Sequence, residues 1–248
     1  MKADLSWKVI VGVAFVTLSL LLMTIHFLIF QDSHYLFIYL LADLAFIPVE
    51  VLCVTLIIDS LLTSRERQQR MEKLNMVIGI FFSRVGTPLI GRFVKADTDT
   101  LALRAQMAAG PGGWTGDRFR AVGKGLASWK CAIDPGRVDR DSLREFLIGN
   151  EAFLLSIVEN PMVFEHESFT DLILALTHLY EELKARGDLT RLPPSDIAHL
   201  MGDMERVYSR LVPEWLKYME YLERSYPYLF SLALRTNPFN EAASVVVE

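Results

Sequence analysis

The chain has 248 residues, of which 52% are hydrophobic and 22% charged, with a formal net charge of −5. The acidic sign and the lack of any recognised nucleic-acid motif argue against a nucleic-acid partner. Cys53 and Cys131 each lack a second Cys nearby, which excludes a CxxC redox or zinc motif and fits a reducing compartment.

The most informative stretch comes first. Val9–Phe30 is a run of 22 residues with no formally charged side chain at neutral pH apart from the titratable His26. As a helix it reaches about 33 Å, enough to cross a hydrocarbon core of roughly 30 Å. A second apolar run covers residues 35–62 and contains Asp43, Pro48, Glu50 and Asp59. Only Gln31, Asp32, Ser33 and His34 separate the two runs, so they predict a tight antiparallel transmembrane hairpin. A cleavable signal peptide fits poorly, because the apolar core is too long and no small-x-small site follows it. Lys2 and Lys8 precede the first run, Arg65, Arg67, Arg70 and Lys73 follow the second, and the connecting turn has no Lys or Arg. The positive-inside rule then places both termini in the cytoplasm, with Trp7, Tyr35 and Tyr39 as interfacial anchors.

Asp43 and Glu50 are seven residues apart, so they share one face of the second helix. An ionised carboxylate at that depth is costly, and each must be protonated, paired, or turned to water or protein. Pro48 frees the carbonyl of Leu44 and is expected to kink the helix. With His26 on the other helix, the pair could form a proton or ion site. The simpler reading is hydrogen-bonded packing across a hairpin or oligomer interface. One hairpin cannot enclose a pathway, so conduction would need an oligomer. Asp59 lies near the cytoplasmic boundary, within reach of water.

The remainder divides by charge. Residues 64–140 hold 14 Lys and Arg against 7 Asp and Glu, and residues 141–248 hold 9 against 18. The basic half adjoins the hairpin, where anionic lipids attract each basic residue by about 1 kcal/mol. Arg65, Arg67, Arg70 and Lys73 form a charged collar onto which the second span should run as one rod. Arg118, Arg120 and Lys124 are further candidates for lipid headgroups. The acidic half is the candidate surface for a cytoplasmic protein partner.

Residues 74–85 are apolar on more than one face, with Gly79 and Ser83 small enough for another helix to come close. This stretch suits helix packing or the lipid surface but is too short for a third span. Gly86-Thr87-Pro88 reads as a stop and restart, with Thr87 as N-cap, followed by a helix to about Ala109. Gly110-Pro111-Gly112-Gly113-Trp114-Thr115-Gly116 is the clearest loop. Neither it nor Gly123-Lys124-Gly125 meets the phosphate-loop template. Asp134-Pro135-Gly136 is a turn. Three periodic helices follow: Leu143, Phe146, Leu147, Phe153, Leu154 and Ile157, ended by Asn160-Pro161; Phe169, Leu172, Ile173, Leu176, Leu179, Tyr180 and Leu183, closed at Gly187; and a long helix capped by Ser195 and bent at Pro213, with Ile197, Leu200, Met204, Tyr208, Leu211, Trp215 and Leu222 inward. A short last helix covers residues 226–235, with Arg235 expected to pair with an acid and residues 242–248 expected to be loose.

Catalytic and cofactor signatures are missing. His178 and Glu181 are three apart on a helix, but a di-iron bundle needs Glu-x-x-His twice. Glu165-His166-Glu167 lacks the second His of a zinc helix, and His199 stands alone. No metal, cofactor or catalytic residue is expected. The late tyrosines, Tyr208, Tyr218, Tyr221, Tyr226 and Tyr228, suit packing as well as recognition.

The fold class expected is all-α: a transmembrane hairpin at residues 1–63, basic membrane-proximal helices and a Gly-rich linker at 64–116, an antiparallel helical bundle at 117–240 and a tail at 241–248. The corresponding function is a two-pass inner-membrane protein of bacterial type, a non-enzymatic scaffold or signal-coupling protein acting as a homo-oligomer. The alternative is a subunit of a small oligomeric ion or proton channel.

Overall fold

The computed structural model describes residues 2–108 and 113–246, except for the side chains of residues 2–6, 8 and 36. Gly110, Pro111 and Gly112 of the expected linker, the side chains of Lys2 and Lys8, and Val247 and Glu248 lie outside the described residues. The described chain is helical, with no strand and one isolated bridge between Asp97 and Ile133. It divides into two compact units between Arg67 and Gln68.

The first unit contains α1 (Lys2–Phe30) and residues 33–67 of α2 (Ser33–Phe81), the whole second apolar run included. The link between them is two residues, not the four expected. Gln31 turns the chain with a left-handed φ of 47°, and its N–H bonds to the Phe27 carbonyl at 2.9 Å. Asp32 Oδ1 accepts the N–H groups of His34 at 2.9 Å and Tyr35 at 3.3 Å. This side-chain cap satisfies amides that a helix start otherwise leaves open, so Ser33 and His34 join α2. Pro48 sits inside α2 without ending it. Both helices are long and apolar enough to cross a membrane, and no residue of either apolar window is buried.

The second unit has a hydrophobic core of its own, from Leu74 to Phe239. The last turns of α2 enter it through Leu74, Ile78 and Phe81. Gly79 faces the Tyr218 ring, where an added Cβ would sit 3.5 Å away, so a second helix does approach at this small residue. The expected stop at Gly86-Thr87-Pro88 is absent. Phe82–Gly86 forms a π turn, Thr87 N–H bonds to the Phe82 carbonyl, and α3 (Thr87–Ala96) follows directly. Thr87 is helical (φ −65°, ψ −46°) rather than a cap. A wider turn just before Pro88 is a local adjustment that lets a helix tolerate a residue without an N–H.

The helix expected to reach about Ala109 instead breaks at Asp97. Thr98 N–H bonds to the Ala132 carbonyl and Asp134 N–H to the Ala96 carbonyl, both at 2.9 Å. Asp97 Oδ1 accepts the N–H of Asp99, and α4 (Thr100–Met107) starts afresh. Short polar side chains in Asp97-Thr98-Asp99 offer the backbone these alternatives to a helix. After Thr115, whose side chain caps it, comes α5 (Gly116–Ser128). Residues 141–160 form α6 (Arg140–Ile148) and α7 (Glu151–Val158) instead of one helix. The break falls at Gly149-Asn150, where Asn150 Nδ2 returns to the Phe146 carbonyl and its Oδ1 accepts from Arg84.

A 3-10 turn (Pro161–Glu165) leads to α8 (Glu167–Ala185), capped by His166. All seven core positions expected on α8 are buried. Next, α9 (Pro194–Ser225) starts after Pro193, so Ser195 lies inside it and is not its cap; Pro at the first helical turn needs no N–H there. Pro213 lies inside α9 without ending it. Finally α10 (Pro227–Arg235) buries no residue, while Asn237 and Phe239 beyond it are buried. Arg235 bonds to the Val245 carbonyl rather than to the expected acid, and Ser244 N–H bonds to the Arg235 carbonyl, so the described part of the tail is held.

Helices α8 and α9 are the spine of this unit. Lys217 bonds to Ser168, His178 meets Asp203, His199 meets Glu182, and Arg186 bonds to Asp196. That order fixes the two helices as antiparallel. Helices α6 and α7 pack on α8, while α3, α5 and α10 pack on α9.

Candidate functional site

The positions singled out in the apolar half stay apart. Asp43 and Glu50 are exposed on α2, with no hydrogen bond or ion pair among the described residues. The His26 ring packs on Phe30 with centroids 4.8 Å apart, and the structure brings it to neither carboxylate.

The basic residues split by role. Arg65, Arg67 and Lys73 are exposed, and Arg70 pairs with Glu165 at 3.2 Å. Arg118 donates to the carbonyls of Gln106 and Ala108, both at 3.0 Å, so its charge closes the C-terminal end of α4. Arg120 pairs with Asp117, and Lys124 is exposed. Among the tyrosines, Tyr208 is buried, Tyr218 stacks on Phe82 at 5.1 Å, and Tyr221, Tyr226 and Tyr228 form an edge-to-face row. Next to them an apolar groove of about 850 Å³ is lined by Met76, Ile80, Tyr218, Tyr221, Leu229 and Leu232 among others.

The richest polar chemistry lies on the α8–α9 seam. His178 and Glu182 are one turn apart on α8, and His199 and Asp203 one turn apart on α9. Spacing of i, i+4 puts each pair on one helix face. Antiparallel packing then sets the two faces opposite each other. The donor atoms of His178, Glu182 and His199 all lie within 4.8 Å of one another. Asp203 Oδ2 is 3.4 Å from His178 Nε2 and 3.3 Å from His199 Nε2. Glu182 is 3.9 Å from His178 Nε2 through Oε1 and 3.5 Å from His199 Nε2 through Oε2. Burial is graded across the group. The Asp203 side chain is 1% exposed, Glu182 26%, His178 45% and His199 51%.

Two arginines hold the carboxylates. Arg186 donates to Glu182 Oε2 at 2.6 Å and reaches both oxygens of Asp196, at 2.6 and 2.8 Å. Its hydrogen bonds hold the Glu182 and Asp196 carboxyls below their usual range. Arg206 binds Asp203 Oδ1. Asp203 Oδ2 is left buried with no hydrogen-bond partner.

Helical spacing alone pairs His178 with Glu181 as readily as with Glu182. Glu181 is exposed and outside the group. The missed signal is the matched pair His-x-x-x-Glu and His-x-x-x-Asp on two consecutive helices. His166, the third histidine of this unit, serves as the cap of α8, with Nδ1 accepting the N–H of Phe169 at 3.3 Å.

Comparison with known proteins gives consistent results over both halves. Residues 70–235 match a family model described as "Uncharacterized protein MJ1433, C-terminal helical domain", and residues 2–62 match "MJ1433, N-terminal helical domain". A relative from Methanocaldococcus jannaschii, itself described as "Uncharacterized protein MJ1433", is 41% identical over 245 residues, which cover 99% of this chain and 98% of the relative. No solved structure matches the chain. With both helical domains matched in their order and the relative aligned almost end to end, this chain belongs to the MJ1433 family.

Proposed function

We propose that this protein is a two-pass protein of the cytoplasmic membrane that carries its helical domain in the cytoplasm. It would act there as a non-enzymatic scaffold or signal-coupling protein, working as a homo-oligomer. One observation supports this above the others: both long apolar helices leave their apolar windows wholly unburied. Soluble monomers rarely expose contiguous apolar patches beyond a few hundred Å². A core helix of a soluble protein would be covered by the rest of its own fold. Lipid, or lipid together with further copies, is the environment that suits Leu20, Phe37, Phe46 and Leu56, each more than half exposed.

Charge placement agrees with this reading. Exposed Arg65, Arg67 and Lys73 follow the second apolar run, and the two-residue link carries no basic side chain. The connecting segment is itself helical, because α2 is unbroken from Ser33 to Phe81. A partner protein would meet the acidic distal half. Alkaline carbonate treatment of membranes from expressing cells tests the anchor. The full-length chain should stay in the pellet; release into the supernatant refutes membrane integration.

The rival is an oligomeric ion or proton channel. It is favoured by the outward, unpartnered placement of Asp43 and Glu50 on one face of α2. Proteoliposomes separate the two readings. Proton or cation flux that collapses in an Asp43→Asn, Glu50→Gln double variant supports a channel, and no flux in either protein supports the scaffold.

A further inference from the structure

We infer that His178, Glu182, His199 and Asp203 form a binding site for one divalent transition-metal ion of the zinc class. The inference rests on the second unit alone and does not depend on the membrane reading.

Distance is the first ground. The four nitrogen–oxygen separations are 3.4, 3.3, 3.9 and 3.5 Å. A charge-assisted hydrogen bond from an imidazolium to a carboxylate closes to about 2.7–2.9 Å. Ligands of one tetrahedral ion, each about 2.0–2.2 Å from the metal, stand about 3.3–3.6 Å apart. The two separations to the single atom Asp203 Oδ2, 3.4 and 3.3 Å, fall in the second range and not in the first, while those to Glu182 run to two different oxygens, 3.5 Å to Oε2 and 3.9 Å to Oε1. Because Oε2 accepts from Arg186, Oε1 is the Glu182 oxygen left for the ion.

The buried oxygen is the second ground. Asp203 Oδ1 is taken by Arg206, while Oδ2 is buried and has no donor. Both imidazole Nε2 atoms converge on that oxygen. A buried carboxylate oxygen without a donor is costly. A cation between it and the two imidazoles removes the cost and uses all three lone pairs at once. Charge then balances, since two carboxylates offset a divalent ion and the neutral imidazoles add none.

The surroundings complete the case. Arg186 on Glu182 and Arg206 on Asp203 fix the carboxylates in the manner of outer-shell groups at metal sites. Two imidazoles favour zinc, cobalt, nickel or copper over magnesium or calcium, which prefer oxygen ligands alone. His178 and His199 are about half exposed, so an ion can enter without unfolding and water can complete its shell. Because the ligands come in pairs from α8 and α9, the ion would clamp together the two spine helices of the unit.

The test uses untagged full-length protein, stripped with a chelator, dialysed, and titrated with Zn²⁺ or Co²⁺. Expected results are one Zn²⁺ per chain by elemental analysis, visible Co²⁺ bands that Zn²⁺ displaces, and an unfolding midpoint that rises with Zn²⁺ but not with Mg²⁺ or Ca²⁺. A His178→Ala, His199→Ala double variant changes only half-exposed positions. It should keep the helical circular dichroism spectrum and lose both the metal and the midpoint shift. Asp203→Asn preserves the buried shape and should weaken Zn²⁺ binding more than tenfold. Failure of stripped and reloaded wild-type protein to hold stoichiometric Zn²⁺ overturns the site, leaving a solvated histidine–carboxylate cluster. So does a folded double variant that binds Zn²⁺ as tightly as wild type, which would place the ion elsewhere.

Discussion

At the scale of single residues, environment decides what each ionisable group can do, and little of that environment is visible in sequence. Cys131 is half-buried, and its Sγ lies 3.4 Å from the Glu205 carbonyl. Burial, with the charges of Glu205 and Asp97 adding to it, pushes the thiol up to about 11 from an ordinary 9.0. At pH 8 the thiolate fraction is then about 100-fold below that of an ordinary thiol. In a Cys53→Ser background, alkylation of Cys131 at pH 8 should be slower by about that factor, and its rate should keep rising with pH until about 11, where that of an ordinary thiol levels off near 9.0. Mass spectrometry over time checks it, and labelling at the rate of a free thiol would contradict it. Asp196 shows the opposite shift. The Arg186 hydrogen bond holds its carboxyl below 3.8 and outweighs the opposing desolvation, with the weaker pull of the Arg186 charge acting in the same sense as the bond. A carboxyl whose folded pKa is depressed stabilises the fold above its unfolded value and loses that contribution as pH falls through the folded value. The melting advantage of wild type over Asp196→Asn, measured with chelator present, should therefore be full above pH 3.8, shrink progressively below it, and vanish only once pH is under the depressed folded value. The metal-site residues show why single residues were hard to read. His178 and Glu182 are visible as a helical pair in sequence, but so is His178 with Glu181. Only the register of α8 against α9 brings His199 and Asp203 to the first pair and leaves Glu181 outside.

At the scale of elements, hydrophobic period carried the reading where it was long and failed where local polar chemistry competed. The seven apolar positions expected on α8 are all buried, because 19 residues of one period allow one solution. The breaks at Asp97 and at Gly149-Asn150 came from side-chain bonds that leave the apolar spacing nearly intact, so periodicity ran across them. The π turn was misread for a related reason. Gly86-Thr87-Pro88 looks like a helix end, yet the packing of Phe81, Phe82 and Val85, all fully buried, keeps the backbone helical through it. Gly86 is required there for space. A Cβ at this position would lie 2.5 Å from the Phe82 ring and 3.0 Å from the Phe81 ring. Neither ring can move freely, since Phe81 packs edge-on against Phe169 and Phe82 stacks on Tyr218. Gly86→Ala should destabilise the second unit by about 1–3 kcal/mol, the usual cost of overpacking a filled core. Urea denaturation followed by circular dichroism measures it, and an unchanged midpoint would mean that the π turn can re-wind without loss.

At the scale of the whole molecule, the two apolar helices and the folded core differ in burial. Every residue of the hydrophobic core lies between Leu74 and Phe239, and no residue of the apolar windows is buried. The described core thus belongs to the second unit, while the longest apolar runs in the chain belong to the first. A soluble protein with this core would gain nothing from some fifty further apolar residues left in water, and would aggregate through them. Deleting residues 1–67 separates the possibilities. The shortened chain keeps every core residue, so it should remain in the supernatant of lysed cells and unfold in a single cooperative transition. The full-length chain should sediment with membranes and resist carbonate. Precipitation of the shortened chain, with a full-length chain that stays dissolved without detergent, would show instead that the apolar helices complete a water-soluble fold. Zinc uptake gives an internal control in the same experiment. All four proposed ligands lie beyond the cut, so a shortened chain that folds should still bind one ion.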